Sequence, residues 1–223
     1  MEAIPGNLKE IQSVIAGKAK LIAISKTKSK EEILKVYSTG FRAFGENKVQ
    51  ELVAKWKDLP KDIEWHMVGH LQTNKVKYIA PFVSKIHSVD SLRLLRTINK
   101  EGKKNKRVIP CLFQMHIALE ESKFGLSMEE LLELLSSEDF GNLKNIRMDG
   151  VMGMATLIND EQTIIKEFKH LKQIFDQIKQ KYFNSSPGFI DISMGMSHDY
   201  KIALDEGSTI VRIGNAIFGA RKN

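Results

Sequence analysis

Short apolar runs alternate with longer amphipathic stretches along almost the whole chain. Leu21-Ile22-Ala23-Ile24 is the first strong strand pattern, and the stretch Leu8 to Ala16 before it carries helical spacing. After it, Ile33, Leu34 and Tyr37 fall on one face of a helix over residues 31–38, which Gly40 stops. Phe41 to Phe44, Glu64 to Val68, Lys85 to Val89, Val108 to His116, Gly150 to Ala155, Phe189 to Met194 and Thr209 to Ile213 read as further strands. Helix-like segments fill the gaps. The longest, Glu161 to Tyr182, puts Ile164, Ile165, Phe168, Leu171, Ile174, Phe175 and Ile178 at helical spacing. Ser91 and Ser127 open two others, and Ser127 with Glu130 fits a capping box. Roughly eight strand-then-helix units fit, which predicts an α/β fold, a single (β/α)8 barrel with an extra N-terminal helix. An open doubly wound sheet is the alternative, because a strand count does not prove closure.

The 223 residues are somewhat fewer than the about 250 typical of such barrels, and they suffice for one sizeable core. With no long linker, repeat or low-complexity tract, residues 1–223 are expected to form one domain. Lys and Arg number 34 against 27 acidic residues, a formal charge of +7 that attracts anions in general. The excess is scattered. Its densest run, Lys100 to Arg107, is broken by Glu101, Gly102 and Asn105 and reads as a solvated loop, and no nucleic-acid-binding module is visible. Nucleic acid is therefore not an expected partner. Cys111 is the sole cysteine and reads as a small buried hydrophobe. The N-terminus has no leader pattern, and no run reaches the ~18 apolar residues of a membrane span. A reducing, cytoplasmic setting is expected. The six histidines show no metal-ligand spacing.

In a (β/α)8 barrel the active site forms at the C-terminal ends of the strands, and phosphate is often held after the seventh and eighth. Here the seventh strand leads into Ser193-Met194-Gly195-Met196-Ser197-His198 and a helix-like segment near Asp199 to Glu206; the eighth leads into Gly214-Asn215-Ala216. Each is a small-residue turn entering a helix, and the two are adjacent in a closed barrel, which together predicts a phosphate cradle. Lys26 ends the first strand, beside the eighth, with the side-chain parity of Ile22 and Ile24. An amine at the rim of an apolar barrel favours the neutral, nucleophilic form that imine chemistry needs. A Schiff base, an anion contact and a structural ion pair are all open to it, whereas Lys28 and Lys30 read as solvated. Arg212, inside the eighth strand, must either be paired, with Glu46 as the candidate barrel-lining acid, or line the ligand pocket. His66 and His70 flank the third strand's end and read as satisfied polar residues of a packed rim.

Several segments carry a resemblance. They are Ile24-Ser25-Lys26-Thr27-Lys28, Phe44-Gly45-Glu46-Asn47-Lys48-Val49-Gln50-Glu51, residues 65–75 (Trp65 to Lys75), Ile86-His87-Ser88-Val89-Asp90-Ser91, Ser193-Met194-Gly195-Met196-Ser197 and residues 212–221 (Arg212 to Arg221). In order and together they resemble the pyridoxal phosphate homeostasis protein family. The resemblance implies a fold like the N-terminal barrel of alanine racemase. It implies pyridoxal 5′-phosphate as the cofactor, with its aldehyde on Lys26 as a Schiff base, its phosphate on Ser197 and the Gly214-Asn215 turn, and its ring nitrogen against Arg212. Met196 and Asn47 match positions near the cofactor. Many relatives carry Thr or Ser where this chain has Asn215, so a hydroxyl contact to the phosphate is replaced here by whatever the backbone N–H supplies. The resemblance further implies a carrier or regulator of vitamin B6 and amino-acid pools. Cofactor-dependent apoenzymes would be its recipients, in a monomer or weak dimer. A low-activity racemase-like enzyme is the alternative. Alanine racemase adds a tyrosine base from a second domain, which a chain ending at Asn223 is not expected to supply.

Overall fold

The computed structural model describes residues 3–119 and 124–219. After helix α1 (Ala3–Ile15), the elements run β1 (Lys20–Ile24), α2 (Lys30–Tyr37), β2 (Ala43–Glu46), α3 (Val49–Asp58) and β3 (Glu64–Met67). A 3-10 turn, Thr73–Lys75, precedes α4 (Val76–Ile79), β4 (Lys85–Val89), α5 (Leu92–Lys104), β5 (Ile109–Gln114), α6 (Met128–Ser136) and α7 (Glu138–Gly141). The last third is β6 (Ile146–Met152), α8 (Glu161–Tyr182), β7 (Asp191–Ser193), α9 (Tyr200–Asp205), β8 (Ile210–Ile213) and α10 (Asn215–Phe218). Every strand pairs in parallel with the next, and β8 returns to β1 with Ile22 opposite Arg212 and Ala23 opposite Ile213. The barrel is closed, which excludes the doubly wound alternative.

Alternation along the strands splits the core in two. The larger part lies between barrel and helices, where Phe44, Trp65, Met67, Phe113, Phe168 and Leu171 are all but fully buried. Each such side chain stabilises the fold by about 1.5–3 kcal/mol. The smaller part is inside the barrel, where Ile22, Ile24, Ala43, Val68 and Ile210 form one apolar patch. Elsewhere the interior carries polar side chains. Near its N-terminal end Lys85 bridges Asp149 at 2.8 Å and also pairs with Asp191. Further up, His66, His87, Ser193 and Arg212 bond to one another across the barrel.

Several boundaries differ from the sequence expectation for identifiable reasons. Strand β2 lies two residues later than Phe41 to Phe44, because Gly45 and Glu46 continue it. Gly45 is a packing requirement: a Cβ there would come within 2.6 Å of the Ile24 side chain. Strand β6 begins at Ile146 rather than Gly150. Its charged positions hid it, yet Arg147 and Asp149 pair at 2.6 Å along the strand. Helix α1 starts at Ala3, since Pro5 sits in the first turn, where no backbone donor is needed. The lysines of the basic run ending at Arg107 are exposed as expected, but most of the run is helix and not loop. It closes α5, and Arg107 donates to Ala80 O at 2.6 Å and Val83 O at 2.7 Å. Helix α8 and both serine caps stand where the pattern put them. Among the described residues no helix is long and apolar enough to cross a membrane.

Candidate functional site

Lys26 sits in the turn two residues beyond β1, half-buried, and both neighbours are held. On one side Ser25 Oγ donates to Glu46 Oε1 at 2.6 Å, and Lys55 Nζ donates to Ser25 O and to Glu46 Oε1, each at 2.7 Å. On the other, Thr27 N–H donates to Glu51 Oε2 at 2.9 Å and fixes Thr27 at φ 64°, a left-handed conformation costly for a β-branched residue. Glu46 alternates with Gly45, so its carboxylate faces α3 in the helical layer and does not line the barrel. Burial pushes its carboxyl above the usual range, opposed by Lys55 and Ser25. The Arg212–Glu46 pair, the alternative to a pocket-lining Arg212, is absent for this reason.

Arg212 instead points into the interior, 4% exposed. Its Nη1 donates to Ser193 O and Ser193 Oγ, both at 2.7 Å, and its Nη2 to Gly153 O at 3.0 Å. Among the described residues no carboxylate lies within ion-pair distance, and Nε has no acceptor. Burial lowers the guanidinium to about 10, so it is charged at neutral pH.

The two predicted turns meet. Gly195 has φ 94°, and a Cβ on it would stand 2.6 Å from the Ala203 Cβ, so this turn tolerates little but glycine. Ser197 Oγ accepts from Gly214 N–H and Ala216 N–H at 3.3 Å each, stitching one turn to the other. The second turn is anchored from behind. Asn7 Nδ2 donates to Ile217 O at 3.1 Å, and Lys28 Nζ donates to Phe218 O at 3.4 Å and Gly219 O at 3.3 Å. Lys28, with its side chain 9% exposed, is thus a structural tether and not a solvated lysine, whereas Lys30 pairs with Asp58 at the surface.

These groups surround a cavity of about 470 Å3 at the C-terminal mouth of the barrel. Lys26, Asn47, Met196, Ser197, Arg212, Gly214 and Asn215, all designated from the sequence, line it together. So do His70, Gln114, Phe124, Met154, Leu157 and His198, which sequence reasoning had not assigned to a site. Concavities of about 490 and 520 Å3 lie elsewhere, beside Lys20 and Arg42 and beside Phe140 and Phe183. Size does not choose among the three; the convergence of an amine, a guanidinium and two turns does. His70 is at the rim, its Nδ1 3.1 Å from Asp90 Oδ2 and its ring stacked on Phe124. His66 corrects the rim assignment. It lies within β3 in the barrel interior, bonded to His87 through Nδ1 at 2.9 Å, with Nε2 unpartnered. Strand parity applied to His87 and Ser193 would have found the rest of this interior chain.

The family model of the alanine racemase N-terminal domain matches residues 1–222. A pyridoxal phosphate homeostasis protein of Aquifex aeolicus is 40% identical over 205 residues, 92% of this chain and 88% of that protein. The chain belongs to the pyridoxal phosphate homeostasis protein family. Another member, PipY of Synechococcus elongatus, superposes in a structure without PLP at a TM-score of 0.88 and 30% identity, over 97% of this chain and 100% of that one. In its structure with PLP bound the values are 0.83 and 29%, over the same shares of the two chains. Alanine racemase from Bartonella henselae shares the fold, at a TM-score of 0.74 and 16% identity, with this chain covered in full and 61% of that one. The family resemblance of the individual segments is thereby matched by one fold from end to end. Ala220 and Arg221 of the last segment lie outside the described residues.

Proposed function

We propose that this chain holds pyridoxal 5′-phosphate as a Schiff base on Lys26 and serves vitamin B6 and amino-acid homeostasis as a carrier or regulator. The observation that carries the reading is the convergence of Lys26, Arg212 and the Ser197 and Gly214-Asn215 turns on one cavity. The donor set fits the cofactor's chemistry. Lys26 supplies the amine for the aldehyde. Ser197 Oγ accepts from the two turn N–H groups, so its own proton is free to be donated to a phosphate oxygen. Arg212 Nε has no protein acceptor among the described residues and so keeps a donor for the ring nitrogen, and Asn47 lines the same cavity. When bound, the cofactor supplies an aldehyde for exchange with amines and a ring able to accept electrons.

Arg212 also argues for carriage over catalysis. A guanidinium that stays protonated at neutral pH donates to the ring nitrogen and disfavours protonation there, which weakens the ring as an electron sink. Among the described residues no tyrosine lines the cavity. One observation favours the racemase-like alternative: His70, hydrogen-bonded to Asp90 at the rim, is a group able to move a proton. Cofactor-dependent apoenzymes are the proposed recipients, with the chain acting as a monomer or weak dimer.

Purified protein given the cofactor is expected to gain an absorbance near the visible–ultraviolet boundary and to be labelled by borohydride on the Lys26 peptide. Lys26→Ala should abolish the label. A label mapping mainly to another lysine would overturn the assignment. Fast α-proton exchange from amino acids in deuterated water, normalised to bound chromophore, would overturn the carrier reading in favour of the racemase.

A further inference from the structure

We propose that Ser193 and His87 are positioning residues for Arg212: a hydrogen-bond chain across the barrel interior sets where the guanidinium meets the cofactor ring. The inference rests on the cofactor reading above and goes beyond it, to residues that touch no ligand.

The chain has one direction. Arginine is a donor only, so Ser193 Oγ accepts from Arg212 Nη1 at 2.7 Å and keeps its own hydrogen to donate. That hydrogen meets His87 Nδ1 at 3.0 Å, which makes Nδ1 an acceptor and places the His87 proton on Nε2. His87 Nε2 then donates to His66 Nδ1 at 2.9 Å, and the His66 proton is left on Nε2, which has no partner. All four side chains are buried, from 0% exposed for His87 and Ser193 to 4% for Arg212. Desolvation holds both imidazoles neutral, and the cations that face them, Lys20 and Lys85 for both and Arg212 for His87, act in the same sense.

A buried guanidinium is ordinarily oriented by a carboxylate. Such a partner would hold Arg212 equally well, but it would also neutralise the charge the ring nitrogen is to meet. Here the orientation comes from neutral acceptors alone: Ser193 O, Ser193 Oγ and Gly153 O. Two of these are backbone groups fixed by β7 and by the end of β6. The third is a rotatable hydroxyl, and His87 is what fixes its rotamer. The unpartnered His66 Nε2 is a cost to folding at the far end of this chain.

The test compares pyridoxal phosphate with an analogue whose ring nitrogen is replaced by C–H. It uses the unmodified protein, Ser193→Ala, His87→Leu and His87→Asn; asparagine retains an acceptor near the Nδ1 position. Affinity is read by chromophore titration and folding by urea midpoint. Ser193→Ala and His87→Leu are expected to weaken the natural cofactor by roughly tenfold, the effect of about 1.4 kcal/mol, and to leave the analogue unchanged. His87→Asn is expected to bind the natural cofactor like the unmodified protein. Equal losses for both ligands would show a merely structural role and overturn the inference, as would no loss with either. If the unmodified protein forms no borohydride-trapped label at Lys26, the cofactor reading falls and this one with it; in the other two failures only this one falls.

Discussion

Replacing Lys55 by methionine tests the clamp behind Lys26. The lysine is 9% exposed, and its ammonium is shared among Ser25 O, Glu46 Oε1 and, at 3.4 Å, Glu51 Oε2. Methionine keeps the apolar stem within α3 and removes the charge. Glu46, fully buried and with Oε2 already unpartnered, is then left with the Ser25 hydroxyl alone. Removing one member of a buried ion pair costs about 3–5 kcal/mol. The low end, about 3 kcal/mol, is expected here, because Glu46 has an escape through protonation. Its carboxyl is already raised by burial, and losing the opposing influence of Lys55 raises it further. The fold then binds a proton more tightly than the unfolded chain does. The associated stability is fully present below the unfolded carboxyl value of about 4.3 and is lost as pH rises through the higher folded value. The deficit of Lys55→Met should therefore be largest near pH 8 and shrink towards pH 5. Glu46→Gln in the same chain should recover part of it. Urea unfolding of the three proteins at both pH values measures this, and the unmodified protein subtracts the titration of all other groups. Because Lys55 also holds the carbonyl before Lys26, borohydride labelling of Lys26 should slow in the variant. A loss under about 1 kcal/mol at pH 8, or a double variant no more stable than Lys55→Met, would refute the clamp.

Ser197→Ala should weaken binding of the phosphorylated cofactor by about 1.5–3 kcal/mol, the range for hydrogen bonds to a charged group, and leave non-phosphorylated pyridoxal almost unaffected in the same titration. Equal losses for both would show that Ser197 serves the fold alone. Gly195→Ala combines a left-handed backbone with a 2.6 Å approach to Ala203 and should cost about 2–4 kcal/mol in urea unfolding. Gly219→Ala, at φ 82° with open space around it, should cost only about 1–2 kcal/mol, and equal costs would dismiss the packing part. His66 is held neutral by burial, with a folded value of about 3. The unfolded chain therefore binds the extra proton, and stability falls by about 1.4 kcal/mol per pH unit below pH ~6.5. His66→Asn should remove that share of the loss between pH 6.5 and 5 and leave the share of His87, and an unchanged slope would remove His66 from the account.

What was readable in the chain followed from alternation and turn chemistry. Long α8 announces itself through seven apolar positions at one spacing, and the Ser127 capping box marks α6 by hydrogen-bonding chemistry that is entirely local. Lys26, Ser197, Gly214 and Asn215 were reachable because each stands at a strand end or in a small-residue turn, and Arg212 because a strand-interior arginine is unusual; Asn47 and Met196 came from the family resemblance alone. Failures cluster where tertiary partners override local preference. Charged Arg147 and Asp149 belong to a strand because Lys85, far away in sequence, is their neighbour. Lys28 looks like any surface lysine until the carbonyls of α10 are brought to it. Glu46 was offered as a barrel-lining acid because the strand pattern was ended at Phe44; as a strand residue it shares the parity of buried Phe44 and faces the helices, and Gly45 between them has no side chain to mark the alternation. His66 and His87 offer only their strand parity, which puts a histidine inside the barrel but carries no mark of what lies across it.

The division inside the barrel bears on why the cavity suits exchange. On one side Ile22, Ile24 and Val68 make an apolar wall leading up to Lys26; on the other a chain of neutral hydrogen-bonding groups leads up to Arg212. The floor is therefore rigid on both sides, by packing on the first and by bonded strand residues on the second. The rim is of a different kind. Phe124 is 56% exposed and Leu157 73% exposed, and His70, His198 and Asn215 are exposed beside them. An enzyme that stabilises charge at an amino-acid α-carbon gains by excluding water around the reacting atoms. A carrier has the opposite need, because an imine on Lys26 must be reached by water or by an incoming amine before its cargo can leave. In the proposed binding mode, fixed contacts at the ring and phosphate with an accessible mouth above the lysine would meet the carrier's need. In the proposed binding mode the same arrangement would set the Arg212 cation at the ring nitrogen, with no tyrosine among the described wall residues. That balance is what the proposed role of retention and hand-over, rather than turnover, asks of the site.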